Sequence, residues 1–347
     1  MTDRPASPDE RRPPFDEVAR AAVAEYAAAR PALIATGEAW TALVRRILDE
    51  AGINYLSVDG RTKSVTSYAG KAARLRAQGA PDPAAEITDA VGVRVITYLH
   101  RDVAAVAGLV AEQLDVVDDR DLGLETASQG RFGYASRHLR VQADEGVAGE
   151  PSYDVLARHP LSLQIRTVLQ HAWAEFEHDI RYKGTVPAAQ VPDLDRRFTL
   201  AAGLLELADR EFSTIRDRLQ EAVRDTRADG ADDDPRVDPS DLAAFLIGRY
   251  PEAGWSRTDH YAWMAGLVLE LGLASLEELD HALAPVDEAA VTTAMGYKYP
   301  AGAVRRLDDA LLARYGERYV ALRGNAHRVD LLAARLERLR GGAVTPA

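Results

Sequence analysis

Ser162-Leu-Gln-Ile-Arg-Thr167, followed at once by His171-Ala-Trp-Ala-Glu-Phe-Glu-His178 and Tyr182-Lys183, reads as a strand that turns into a helix. Apolar and polar residues alternate through the first block, as they do on a half-buried strand, and the second carries Trp, Glu and His at helical spacings. Polar groups gathered where a strand gives way to a helix are suited to the edge of a nucleotide site. Working outward, Val91–Leu99 is rich in Val, Ile and Tyr and reads as a strand, Val103–Leu114 as a short helix, and His138–Gln142 as a further strand. Residues 15–50 carry a helical apolar period broken near Pro31, which predicts two helices, and Pro81 with Pro83 marks a loop. Strands mixed with helices in this order predict an α+β domain with a mixed β-sheet flanked by helices.

Composition narrows the options. A chain of 347 residues holds one large domain or two of ordinary size, and 47% apolar residues suffice for a core. No apolar run reaches the ~18 residues of a membrane span, and the first fourteen residues are polar and Pro-rich, so neither a span nor a secretory signal is expected. The absence of cysteine excludes disulfides, thiolate metal sites and Cys nucleophiles, and agrees with a cytoplasmic location. A net charge of −12 argues against broad nucleic-acid binding. The charge is uneven, however. Between Tyr55 and Arg76, Arg61, Lys63, Lys71, Arg74 and Arg76 face only Asp59, a local basic patch fit for a small anion.

Within that patch, a helix beginning near Ser64 puts Ser67, Lys71 and Arg74 on one face. Hydroxyls, helix N-terminal amides and ammonium groups on one surface suit a polyphosphate, and a solvated basic face is the alternative. The spacing of a P-loop is absent. In Ile87-Thr-Asp-Ala-Val-Gly-Val-Arg-Val95, Asp89 precedes a strand, where Asp is usually a cap, and Arg94 lies within it, where a charge needs a partner. Gly133-Tyr-Ala-Ser-Arg-His138 sets Tyr134 beside a glycine, able to stack on a purine or to fill the core, with His138 close by.

Farther along, apolar residues at 194, 198, 201, 205, 208, 212, 215 and 219 alternate steps of four and three, a heptad-like seam on one long helix. The seam serves either the helix's own domain or a homo-oligomer. The division expected is a polar tail and helix over 1–34, a domain over 35–225, an acidic linker over 226–239 and an all-α C-terminal domain over 240–347. In that last region Ser256-x-x-Asp259 and Ser275-x-x-Glu278 resemble capping boxes, and Tyr297-Lys-Tyr-Pro300 reads as a turn.

Taken together, the blocks Gly60–Arg74, Ile87–Val95, Phe132–His138, Gln164–Thr167 and His171–Lys183 resemble, in order, the synthetase domain of the RelA/SpoT family of (p)ppGpp synthetases. The resemblance implies a nucleotidyltransferase-like fold that transfers the β,γ-pyrophosphate of ATP to the 3′-hydroxyl of GDP or GTP. It implies that Arg61 and Arg94 sandwich the adenine and that Lys63, Ser67 and Lys71, with Arg74 beside them, hold the ATP phosphates. Asp89 would bind Mg2+, Tyr134 would stack on the guanine, and His138, Arg166, Arg131 and Lys183 would hold the acceptor. Gln164, Glu175 and Glu177 match catalytic motif positions.

Two departures stand out. The family usually has a glutamate two residues before the Gln of Gln-Ile-Arg-Thr, as second metal ligand and base; here Ser162 stands there, and serine is a poor base at neutral pH. Many members also carry a lysine at Gly130, whose charge Arg131 would supply. His178-Asp179 is read as part of the synthetase helix, so no alarmone hydrolase activity is expected. Besides a stand-alone synthetase, the resemblance leaves open a toxin-type enzyme that pyrophosphorylates tRNA at its 3′ end, disfavoured by the acidity, and a nucleotide-binding regulator without turnover.

Overall fold

A computed structural model describes residues 16–128, 136–143, 156, 159–183, 190–228, 237–251, 253, 256–296 and 301–342. The turn expected at Tyr297–Pro300 lies outside them. The chain forms two compact units that interleave along the sequence. The first draws on 1–45, 57–96 and 113–166, and the second on 46–56, 97–112 and 167–347.

In the first unit a five-stranded sheet has the order β1-β2-β5-β4-β3, with β1 (Ser57–Thr62), β2 (Val91–Thr97), β3 (Asp115–Asp121), β4 (Arg137–Gln142) and β5 (Leu161–Thr167). β1 with β2, β3 with β4 and β4 with β5 run antiparallel. The expected α+β, mixed-sheet class holds. The alternation read in β2 and β5 is real: Val91, Val93 and Val95, like Leu161, Leu163 and Ile165, are buried, while Gly92, Arg94, Ser162 and Gln164 are only half-buried. β1 and β3 escape a reading by alternation, because Ser-Val-Asp-Gly-Arg-Thr and Asp-Val-Val-Asp-Asp-Arg-Asp are edge strands with few apolar residues.

Helix α1 (Glu17–Glu50) contains Pro31 and does not break there, against the expectation of two helices. A proline inside a helix costs about 3 kcal/mol or more. Ala22 and Tyr26 before it and Leu33, Trp40, Leu43 and Val44 after it are all buried, so packing on both sides keeps the helix continuous. α1 crosses β1 at Gly37 and Gly60. A β-carbon at Gly60 would collide with the Thr41 hydroxyl and lie 3.3 Å from the Gly37 carbonyl. Helix α2 (Val65–Ala77) begins where the sequence placed it, with the Ser64 hydroxyl capping the Ser67 amide at 3.1 Å. The loop expected at Pro81–Pro83 holds a one-turn helix, α3 (Pro83–Glu86), capped by Asp82. α5 (Leu122–Ser128) follows β3.

The second unit is helical. It holds α4 (His100–Gln113), α6 (Val168–Lys183), α7 (Val191–Ala228), α8 (Pro239–Arg249), α9 (Thr258–Glu270), α10 (Leu276–Leu283), α11 (Glu288–Met295), α12 (Ala303–Tyr315), α13 (Glu317–Val320) and α14 (Val329–Gly341). The core of the C-terminal helices is built on Leu242, Leu246, Met264, Leu279, Leu307, Leu311, Tyr319 and Leu336. Inside it Asp308 accepts hydrogen bonds from Tyr319 at 2.6 Å, Arg328 at 2.6 Å and Arg335 at 2.8 Å. Burial alone would raise its pKa, but these partners hold it below the usual carboxylate range.

Three expectations need correction. α7 continues through Ala228 into the stretch read as linker, and α8 starts at Pro239, capped by Asp238. Ser256 is not a cap: its hydroxyl donates to the Gly52 carbonyl at 2.7 Å, and Arg257 takes the cap position of α9 without a side-chain bond. Ser275, by contrast, caps α10 through the Glu278 amide, as read. The seam along α7 holds only in its first part: Leu194, Phe198, Ala201, Leu205 and Ala208 are half-buried, whereas Phe212, Ile215 and Leu219 are exposed. The residues α7 buries fully are Ala202, Asp209 and Arg216; the Thr167 hydroxyl donates to Asp209 at 2.8 Å, and Arg216 lies 3.8 Å from Asp102. Leu200, Leu204, Leu207, Phe212, Ile215 and Leu219 are left exposed, Leu204 by 67%. Among the described residues no helix is long and apolar enough to cross a membrane.

Because backbone lies behind the Thr41 contact, Gly60→Ala cannot be absorbed by a rotamer change alone. Overpacking of this kind costs about 1–3 kcal/mol. We expect a lower unfolding midpoint in urea with an unchanged slope.

Candidate active site

The basic patch becomes a structured cluster in the first unit. Lys63, just after β1, and Lys71, in α2, both reach Asp89, just before β2. Lys63 Nζ is 2.5 Å from Asp89 Oδ2 and Lys71 Nζ is 2.9 Å from Oδ1. Asp89 is therefore no mere cap. Burial would raise its pKa, but hydrogen bonds and charge from the two ammonium groups more than offset that and lower it. The cluster carries two positive charges against one, and stands beside the N-terminal amides of α2. Ser67, in the first turn of α2, bonds to the Ser64 hydroxyl at 2.9 Å; Arg74, two turns farther on, is exposed.

The β1–β2 register sets Asp59 opposite Arg94 and Arg61 opposite Gly92, so both arginines share one face of the sheet. Gly92, opposite Arg61, adds no side chain of its own at that position. On β5, Arg166 is buried and donates to Gln164 Oε1 at 2.6 Å. Across from Gln164 stands His138, whose Nε2 lies 2.8 Å from the Ser136 hydroxyl. Burial, then the nearby Arg120, lower its pKa, which favours the neutral ring. Glu175 is exposed on α6, 3.8 Å from His171, and Glu177 is half-buried; both belong to the second unit. Lys183 ends α6, and Arg131 and Tyr134 lie outside the described residues.

Tyr26 and Arg30 went unnoticed in the sequence. The Tyr26 hydroxyl and Arg30 Nε both donate to the Lys63 carbonyl, at 2.6 and 3.1 Å. The Tyr26 ring also stacks flat on Tyr68, centroids 4.0 Å apart. One turn of α1 thus fixes the backbone of Lys63 and the helix that carries Ser67 and Lys71. Burial raises the Tyr26 pKa, which keeps the hydroxyl a donor. The available signal was the four-residue spacing of the pair on α1.

Among the described residues no three His, Cys, Asp or Glu side chains gather as a metal-binding group. Asp89 alone, beside two lysines, fits an Mg2+ ion that arrives on phosphates and keeps its waters, and not a resident metal cage.

A family model described as a region found in RelA / SpoT proteins matches residues 60–186. The GTP pyrophosphokinase YjbM of Bacillus subtilis (strain 168) is 34% identical over 174 residues, which cover 48% of this chain and 74% of that protein. The chain belongs to the RelA/SpoT family. Among solved structures, small alarmone synthetase 1 from Bacillus subtilis is 24% identical with a TM-score of 0.44, covering 57% of this chain and 98% of that one. The same enzyme bound to its product pppGpp is 30% identical with a TM-score of 0.37, over 48% and 80%.

Tyr26→Phe keeps the stacked ring and removes one hydrogen bond, worth about 0.5–1.5 kcal/mol net. The melting temperature should fall by a few degrees, and calorimetric titration with inorganic tripolyphosphate at a temperature where the variant is folded should show weaker binding than the parent.

Proposed function

We propose that this chain is a GTP/GDP pyrophosphokinase that makes (p)ppGpp. The observation that carries the reading is the convergence of Lys63 and Lys71 on Asp89 at the start of α2. It is a net-positive cradle with a single carboxylate, within the stretch that matches the family.

In this reaction the acceptor 3′-oxygen forms a bond to the β-phosphorus of ATP. The bond between that phosphorus and the oxygen bridging to the α-phosphate breaks, and AMP leaves with the bonding pair. Little covalent work falls to the protein, so positioning and charge stabilisation dominate. Arg61 and Arg94 grip the adenine; Lys63, Ser67, Lys71 and Arg74 hold the phosphates. Asp89 holds Mg2+, which when bound neutralises charge on the transferred group. Tyr134, Arg131, His138, Gln164, Arg166 and Lys183 seat the acceptor. Serine is a poor acceptor for the 3′-hydroxyl proton at neutral pH, so Ser162 is not assigned as the base. The reaction belongs to the cytoplasm, where its nucleotides are. Incubation with ATP, GDP and Mg2+ should yield ppGpp and AMP in equal amounts on thin-layer chromatography, and none with EDTA. Folded protein that gives no product refutes the reading, and labelling of tRNA in its place would select the tRNA-directed one.

The exposed apolar strip on α7 supports self-association. Light scattering should report more than one copy, and Leu204→Glu with Leu207→Glu should return a monomer. A monomeric parent chain excludes it.

A further inference from the structure

We propose that Arg140 and Ser162 form an anion-binding subsite that takes a phosphoryl group of the acceptor nucleotide; the acceptor's identity rests on the function proposed above. The β4–β5 register sets Arg140 directly opposite Ser162, next to the His138–Gln164 pair. The β3–β4 register sets Asp118 on its other side and Arg120 opposite His138. Residues directly opposite on antiparallel strands carry β-carbons about 4.5–5.5 Å apart and point to the same face. Asp118, Arg140 and Ser162 therefore form one row on the face that bears His138 and Gln164.

Arg140 differs from its neighbours in what it binds. Arg120 is held by Glu125 at 3.0 and 2.7 Å, and Arg137 by Asp119 at 2.9 and 2.7 Å. Arg166 has a buried Nε without a hydrogen-bond partner, but its guanidinium is engaged by Gln164 at 2.6 Å. Arg140 Nε is buried with no hydrogen-bond partner, and Asp118 across from it is exposed. A buried N–H without an acceptor costs about 1–3 kcal/mol, so it calls for an explanation. Ser162 supplies one: its side chain is small enough to leave space beside the guanidinium, and its hydroxyl can donate. A planar fork of N–H groups beside a hydroxyl matches phosphate oxygens. His138, on the same face, adds a further hydrogen-bonding group. In this place a glutamate would have been Arg140's partner; serine leaves the cation to a ligand.

Calorimetry on the full chain with GDP and guanosine tests this. Parent protein should bind GDP more tightly than guanosine. Arg140→Met should weaken GDP about ten-fold, the size of one charged hydrogen bond, and leave guanosine unchanged. Ser162→Glu should weaken GDP as well, by filling the subsite with its own anion, and adding Arg140→Met to it should cost little more. Should Arg140→Met fail to fold, Arg140→Lys, which keeps charge and loses Nε, should give a smaller GDP-specific loss. Unchanged GDP affinity in the folded Arg140 variant, or an equal loss for guanosine, overturns the subsite. Arg140-dependent GDP binding without any product from ATP and GDP overturns the catalytic reading and leaves the subsite standing.

Discussion

Helix α1 crosses strand β1 so closely that a β-carbon at Gly60 would displace the Thr41 hydroxyl and press on the Gly37 carbonyl, and much of the site is built on that contact. The crossing brings Tyr26 and Arg30 to the carbonyl of Lys63, three residues past the glycine. It orients Lys63 toward Asp89 and, through the Tyr26–Tyr68 stack, fixes the helix that presents Lys71. A flexible ammonium group is a loose tool for holding a polyphosphate; anchored at its own backbone, it loses less freedom when it binds. The buried length of α1 on either side of Pro31 serves the same end, since a helix that broke there would release the turn carrying Tyr26 and Arg30.

The donor half and the acceptor half of the site use charge differently. On the donor side, cations outnumber the one carboxylate they hold, and the surplus is available to phosphates. On the acceptor side, Arg120 and Arg137 are neutralised within the protein while Arg140 is not. A chain of overall charge −12 therefore keeps positive charge in surplus around Asp89.

Much of this was legible in the sequence, and the limits have physical causes. β2 and β5 are central strands, buried on one face, so alternation revealed them along with Arg94, Gln164 and Arg166. Ser64 revealed the start of α2 because a cap is a local interaction. β1 and β3 lie at the edges, where solvent removes the need for apolar residues, and no pattern marks them. The helix at Pro31 was misread because tertiary packing overrode a local signal; the seam along α7 was read rightly over its first part and fails at Phe212, Ile215 and Leu219, where the helix meets solvent. The roles of Tyr26, Arg30 and Arg140 depend on which residues oppose them in space, which spacing along the chain does not encode.

The acid-rich edge strand β3 has a consequence of its own. Asp115, Asp118, Asp119 and Asp121 stand along the open border of the sheet, four like charges in seven residues. A second copy pairing there by backbone hydrogen bonds would set aspartate against aspartate, so the sheet cannot readily grow into a ribbon of stacked molecules. The border acts as a guard against fibrous association.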